Sequence, residues 1–180
     1  MSGGAPDAAL VRSAQGGSDA AFGILVNRHQ QALRGFLRRV CRNWAMADDI
    51  AQDVFISAWS KLDQLHDPDA FRSWITGMAW RRAAEIGRSA GRRRAREASW
   101  VEAQDNGAPE GISTDDNMAL TDAMAELTPD QRACVALCLA GSWSHGEAAK
   151  TLGIPVGTVK SHIARGRARL LEALGGDNDA

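Results

Sequence analysis

Thr158, Lys160, Ser161, His162, Arg165, Arg167 and Arg169 crowd cations and hydroxyl groups into one short stretch, interleaved with Val159, Ile163 and Leu170 at helical spacing. A helix of this pattern buries its apolar positions and turns its donors outward, which is what a DNA major groove receives. Gly157 and Thr158 open it, where main-chain groups can hold a phosphate. Just upstream, Ser144 with Glu147 three residues on spells a capping box, so a first short helix should start there and carry Ala148, Ala149 and Leu152 inward. Gly153 stops that helix in a sharp turn, Ala149 is small where the second helix crosses, and Ile154 and Val159 pin the pair at an angle. The bland counterpart is an ordinary helical hairpin whose basic residues are a solvated face.

Two further groups could do chemistry. Asp48, Asp49, Gln52 and Asp53 recur every three to four residues, giving an acidic polar stripe suited to a basic partner surface. A metal or acid-base site is the catalytic alternative, but nothing nearby supplies His ligands, a phosphate-cradling loop or a nucleophile with its base. Arg81, Arg82 and Arg88 follow Trp80, a mix of phosphate grip and aromatic platform that suits unstacked bases; Trp80 fits a core role as well. Phe71 and Trp74 lie on the apolar stripe of the same segment and read as core.

Helices must position all of these residues. Ser18 is an N-cap for a long amphipathic helix to about Cys41, marked by Phe22, Val26, Leu33, Phe36, Leu37 and Val40. A second helix runs from about Met46 to Leu62, and after the Asp67-Pro68 break a third carries Phe71, Trp74, Ile75, Met78 and Ile86 into a run of arginines. Thr128-Pro129-Asp130-Gln131 opens another helix with a capping box and a proline at its first position, and Gly141 closes it. Met1 to Gly17 holds at most a short helix around Asp7 to Ala14 and receives no function. With no alternating β-rich segment, the fold class is all-α.

The 180 residues are 44% hydrophobic, enough for one ordinary domain or two small helical ones. The net charge of −1 conceals a division along the chain. Residues 19–96 carry 14 Arg or Lys against 8 Asp or Glu, residues 97–126 carry none against 8, and residues 127–174 carry 6 against 3. Two basic units therefore flank an acidic strip, which fits separate phosphate-binding surfaces. Cys41, Cys134 and Cys138 are few and odd in number, and the chain does not open with the basic-then-apolar order of a secretory leader, so a cytoplasmic protein is expected. Cys134 and Cys138 lack a His or Cys pair at ligand spacing and read as buried apolar cysteines. No apolar run reaches the roughly eighteen residues of a membrane span, so no membrane insertion is expected.

Taken in order, DAAFGILVNRHQQALRGFLRR, MADDIAQDVFISAWSKLDQL and DAFRSWITGMAWRRA, then LTPDQRACVAL and GIPVGTVKSHIARGRARL, resemble the extracytoplasmic-function (ECF) sigma factors, the two-domain group of the sigma-70 family that keeps regions 2 and 4. The resemblance spans about Asp19 to Leu174. It implies region 2 at 18–96, an acidic linker at 97–116 and region 4 at 117–174. It also implies a subunit without enzyme activity or cofactor that binds core RNA polymerase, through the β′ clamp and β flap, and directs it to promoter DNA. By resemblance, the Asp48, Asp49, Gln52 and Asp53 face docks on the β′ clamp helices. The Leu65–Phe71 loop and the helix after it engage the minus-ten element through His66, Asp69, Trp80, Arg81, Arg82 and Arg88. Gly157, Thr158, Lys160, Ser161, His162, Arg165 and Arg167 engage the minus-thirty-five element. The chain departs from the family pattern at His162, where Arg is usual, and at Ala164, where a larger side chain is common, which bears on the promoter sequence read. The resemblance further implies a linker in the polymerase's RNA path and an anti-sigma partner. A decoy that sequesters an anti-sigma protein and a free-standing helix-turn-helix regulator are the other readings.

Overall fold

The computed structural model describes residues 5–97 and 122–175; the expected linker beyond residue 97 and the helical restart near Asn117 lie outside the described residues. Among the described residues all regular structure is helical, in two modules that share a joint.

In the first module α1 (Asp7–Gln15) lies against α2 (Asp19–Cys41). The Ser18 side chain accepts from the Ala21 N–H at 3.2 Å, as its N-cap position predicts. Leu25, His29, Leu33, Phe36, Leu37 and Val40 form the buried stripe of α2 at steps of three and four. α3 (Trp44–Ser60) starts two residues before the expected Met46, because the Asn43 side chain accepts from the Met46 N–H at 2.8 Å. Leu62 is buried as expected but sits in a 3₁₀ turn (Leu62–Gln64) beyond the end of α3. A second 3₁₀ turn (Pro68–Ala70) leads into α4 (Phe71–Glu97). Phe71 is wholly buried, and α2, α3 and α4 close around it and its neighbours.

The second module opens with a helical turn at 122–125 and α5 (Pro129–Val135). The Thr128 and Gln131 capping box is present at both of its bonds, with Pro129 at the first position. α5 runs on as a π-helical turn (Ala136–Ala140) to Gly141. α6 (His145–Leu152) and α7 (Val156–Gly175) are the two short helices that the punctuation of the sequence predicts. Gly153 joins them at φ 71, in the left-handed region that a side chain rarely adopts. α7 crosses α5 so closely at Gly166 that an added Cβ would stand 2.7 Å from Cγ2 of Val135.

The joint places α6 against α4 and α5 against α2. Gly77 on α4 is what permits this approach, since a Cβ there would meet the Thr151 carbonyl at 3.1 Å. Arg132 is 7% exposed and has no carboxylate partner among the described residues. A buried guanidinium is costly unless its donors are met, and here carbonyls meet them. Nη1 donates to Val40 of α2 at 2.8 Å, Nε to Met124 at 2.9 Å, and Nη2 to Leu127 at 2.7 Å.

Candidate functional site

Each group singled out by its chemistry lies on a helix or a braced loop. On α7 the turn before it and the caps around it fix the helix. The Ser144 hydroxyl donates to Glu147 Oε2 at 2.6 Å, and the Ser144 and Glu147 N–H groups complete the box. Those Ser144 bonds hold the Glu147 carboxyl below its ordinary value, with Arg72 across the joint adding to the effect. Val159 is wholly buried and Ile163 and Leu170 are 9% exposed, so the opposite face of α7 is set by the helical repeat. Gly157, Ser161, Ala164 and Arg165 form its centre, all exposed. Lys160 and Arg167 flank that centre on one side, also exposed. Thr158 and His162 are half-buried on the other, and Arg169 is tied to the Glu126 carbonyl at 3.0 Å. The Ser161 hydroxyl donates back to the Gly157 carbonyl at 3.0 Å, which leaves its lone pairs outward.

On α3, Asp49, Gln52 and Asp53 are exposed and form one surface. Asp48 differs. Both of its carboxylate oxygens accept from Arg38 Nη2 at 3.1 Å, and Arg34 stands 3.8 Å away, so it faces α2 more than a partner. An open groove of about 540 Å³ between α3 and α4 is lined by Asp53, Ile56, Gln64, Trp74, Met78 and Arg81, among others. It brings together residues that the sequence assigned to different partners: Asp53 on the acidic face and Arg81 on the basic one.

The residues expected at the minus-ten element divide. His66, Asp69, Arg81, Arg82 and Arg88 are exposed, and Arg82 pairs with Glu85 at 3.3 Å. Trp80 is corrected: it is 8% exposed and belongs to the core, so it offers no free face for a base. It continues the buried row of Thr76 and Ala83, which share a helix face with it at steps of four and three. Trp74 is half-buried and Phe71 is core, as read. The loop before α4 is shaped by Asp67, whose side chain accepts from the Asp69 N–H at 3.1 Å.

Burial pushes the Cys41 thiol up to about 11 and the Cys134 thiol to about 12; Cys134 is buried as read, while Cys138, read as buried with it, is raised and only half-buried. Among the described residues no group of three or more His, Cys, Asp or Glu side chains gathers as a metal would require, and no helix is long and apolar enough to cross a membrane.

Sequence reasoning missed the residues that hold these surfaces in place. Arg72, Arg132 and Gln15 all bond to main-chain carbonyls far away in the chain, and no local spacing signals such a partner.

Comparisons with known proteins agree with the two-module layout. Family models described as Sigma-70 region 2 and Sigma-70, region 4 match residues 25–93 and 117–170. The chain is 30% identical to the RNA polymerase sigma factor CarQ of Myxococcus xanthus over 88% of its own length and 92% of that protein's. It is also 30% identical to the ECF RNA polymerase sigma-E factor of Escherichia coli K12, over 89% and 90%. Among solved structures, the sigma factor RpoE of Bartonella quintana, in complex with the anti-sigma factor NepR, superposes with a TM-score of 0.74 at 26% identity, covering 87% of this chain and 98% of that one. CnrH in complex with the cytosolic domain of CnrY superposes at 0.70 with 30% identity, covering 96% and 99%. With region 2 and region 4 matched in turn and about 30% identity to such relatives over nine-tenths of their length, this chain belongs to the ECF RNA polymerase sigma factors.

Proposed function

We propose that Asp49, Gln52 and Asp53 dock this sigma factor on core RNA polymerase while α4 with its preceding loop and α7 read the two promoter elements. The observation that carries this reading is the separation of two exposed surfaces of opposite sign, acidic on α3 and basic on α7, each on a helix whose other side is locked in core. Like charge would keep α3 from phosphate, and α7 is the wrong sign for a cationic protein face. Arg165 sits at the centre of the α7 face and reaches base edges; Lys160 and Arg167 at its flank hold phosphates. His66 and Asp69 contact an unstacked base, with Arg81, Arg82 and Arg88 along the strand.

The chain acts in the cytoplasm, has no enzyme activity of its own, and is held in check by an anti-sigma protein, as the complexes of RpoE and CnrH suggest. Neither module carries enough contact surface to hold DNA tightly alone, so polymerase must present both at once. Transcription from a defined promoter with purified core polymerase tests the reading. Promoter-specific transcripts that depend on the added chain support it. Their absence, with polymerase binding intact, would point to a decoy, and promoter binding without polymerase would point to a free-standing regulator.

A further inference from the structure

The helix to which the sequence assigned nothing, α1, touches the loop that precedes α4 at both of its ends. At the entry, Gln15 Nε2 donates to the Leu62 and Leu65 carbonyls, each at 3.0 Å and across about fifty residues of chain. At the exit, Asp7 Oδ2 lies 2.6 Å from Nε2 of His29, and the His29 ring packs on Phe71, 5.3 Å between centroids. Arg28 completes that end by bonding both Asp7 and the Ala5 carbonyl. Between the two ends, α1 lies along both 3₁₀ turns. Leu10, Val11 and Ala14 bury its apolar side, so the helix itself is anchored.

The loop needs such a hold. Its 3₁₀ turns are three residues each, too short to be stable by their own hydrogen bonds. His66, Asp67 and Asp69 are exposed and make no ion pair among the described residues. A surface loop of this length moves unless its carbonyls are met from outside, and a group that must meet an unstacked base within a few tenths of an ångström cannot ride on a moving support.

We propose that α1 is the seat of the 62–71 loop, with Gln15 fixing its entry and Asp7, through His29 and Phe71, its exit, so that α1 sets how well the chain discriminates among downstream promoter sequences. Gln15 is then a positioning residue: it touches no DNA and acts through the loop. This inference rests on the reading of His66 and Asp69 as base contacts.

The test uses full-length chain with core polymerase and two substitutions, Gln15→Ala and the isosteric Gln15→Glu, whose carboxylate cannot donate to either carbonyl. Amide exchange is followed over residues 62–71, and transcription is measured on promoters altered separately at the downstream and upstream elements. Both variants should exchange faster in the loop while α2, α3 and α5–α7 keep their protection. Discrimination among downstream elements should fall roughly fivefold to thirtyfold, the worth of one or two hydrogen bonds. Upstream discrimination and polymerase affinity should not change, whereas a folding defect would lower every promoter alike. Unchanged loop exchange overturns the proposal. So does unchanged downstream discrimination when His66→Ala or Asp69→Ala alters it. If the loop loosens in the Gln15 variants but neither loop substitution affects promoter choice, α1 stands as the seat and the assignment of the loop to DNA is what fails.

Discussion

The guanidinium of Arg72 stands 4.3 Å above the ring of Trp143 while its Nη2 donates to the Gly141 carbonyl at 2.9 Å. One side chain from the start of α4 thereby holds the turn that precedes the helix-turn-helix. Removing it in Arg72→Ala should weaken the joint by about 1–3 kcal/mol, from the loss of a cation–π contact and a charge-assisted hydrogen bond. Small-angle scattering should show a larger radius of gyration with helicity unchanged. Wild-type scattering would mean that the packing of α6 on α4 and the Arg132 bond to Val40 hold the joint without Arg72.

Reversing both Asp49 and Asp53 to Lys should abolish binding to core polymerase while circular dichroism stays helical, because both side chains are exposed and neither supports the core. A pull-down with unchanged affinity would remove α3 from the docking surface.

Arg165→Ala should weaken promoter use by about 1–3 kcal/mol and relax sequence choice at the upstream element, as expected for a base-edge contact. Lys160→Ala and Arg167→Ala should instead weaken all upstream sequences alike and flatten the salt dependence. Transcription across an upstream-element library separates the two patterns; a uniform loss for Arg165→Ala would make it a phosphate contact.

At the crossing of α5 and α7, Gly166→Ala should be destabilising by about 1–3 kcal/mol through overpacking against Val135. In a Val135→Ala background the same change should turn neutral or stabilising, since Ala favours the helix by about 1 kcal/mol over Gly. Thermal melting of the four variants completes the cycle, and additive effects would show that the close contact is relieved some other way.

The thiols offer a pH test. Burial raises Cys41 to about 11 and Cys134 to about 12, from 9.0, so both stay protonated in the fold well above the pH at which unfolded thiols ionise. Their contribution to stability is complete below pH 9.0 and is lost as pH rises toward 11 and 12. Alkylation at pH 8 should be slow in the native protein and fast once it is unfolded. Rapid native labelling of Cys134 would contradict its burial.

What the sequence made legible were features written in local spacing. The capping boxes at Ser144 and Thr128, the Ser18 cap, the turn at Gly153 and the buried row of Val159, Ile163 and Leu170 all stand where the residues place them. Errors came where a tertiary neighbour decided. Trp80 reads as a platform or as core from the sequence, and the resemblance places it at the minus-ten element, yet its face continues the row of Thr76 and Ala83 into the core. Asp48 reads as one of a stripe, yet Arg38 on α2 takes it. The start of α3 was local and still escaped: Asn43 caps as well as Ser or Asp, and the apolar stripe alone draws attention to Met46.

The bonds that cross the joint run from a side chain on one module to a main-chain carbonyl on the other: Arg132 to Val40, and Arg72 to Gly141. Every residue type supplies a carbonyl, so the acceptor at position 40 survives any change of side chain that leaves the end of α2 in place. Each bond is therefore one-sided, and the two run in opposite directions. A hybrid joining a relative's first module to this second one keeps the Arg132 bond whatever that relative carries at position 40, but loses the Arg72 bond unless the incoming module brings an arginine of its own; the reverse hybrid keeps the Arg72 bond and loses the Arg132 bond on the same terms. Each module can thus drift freely at its accepting carbonyl and not at its arginine, so either exchange of modules puts one of the two bonds at risk.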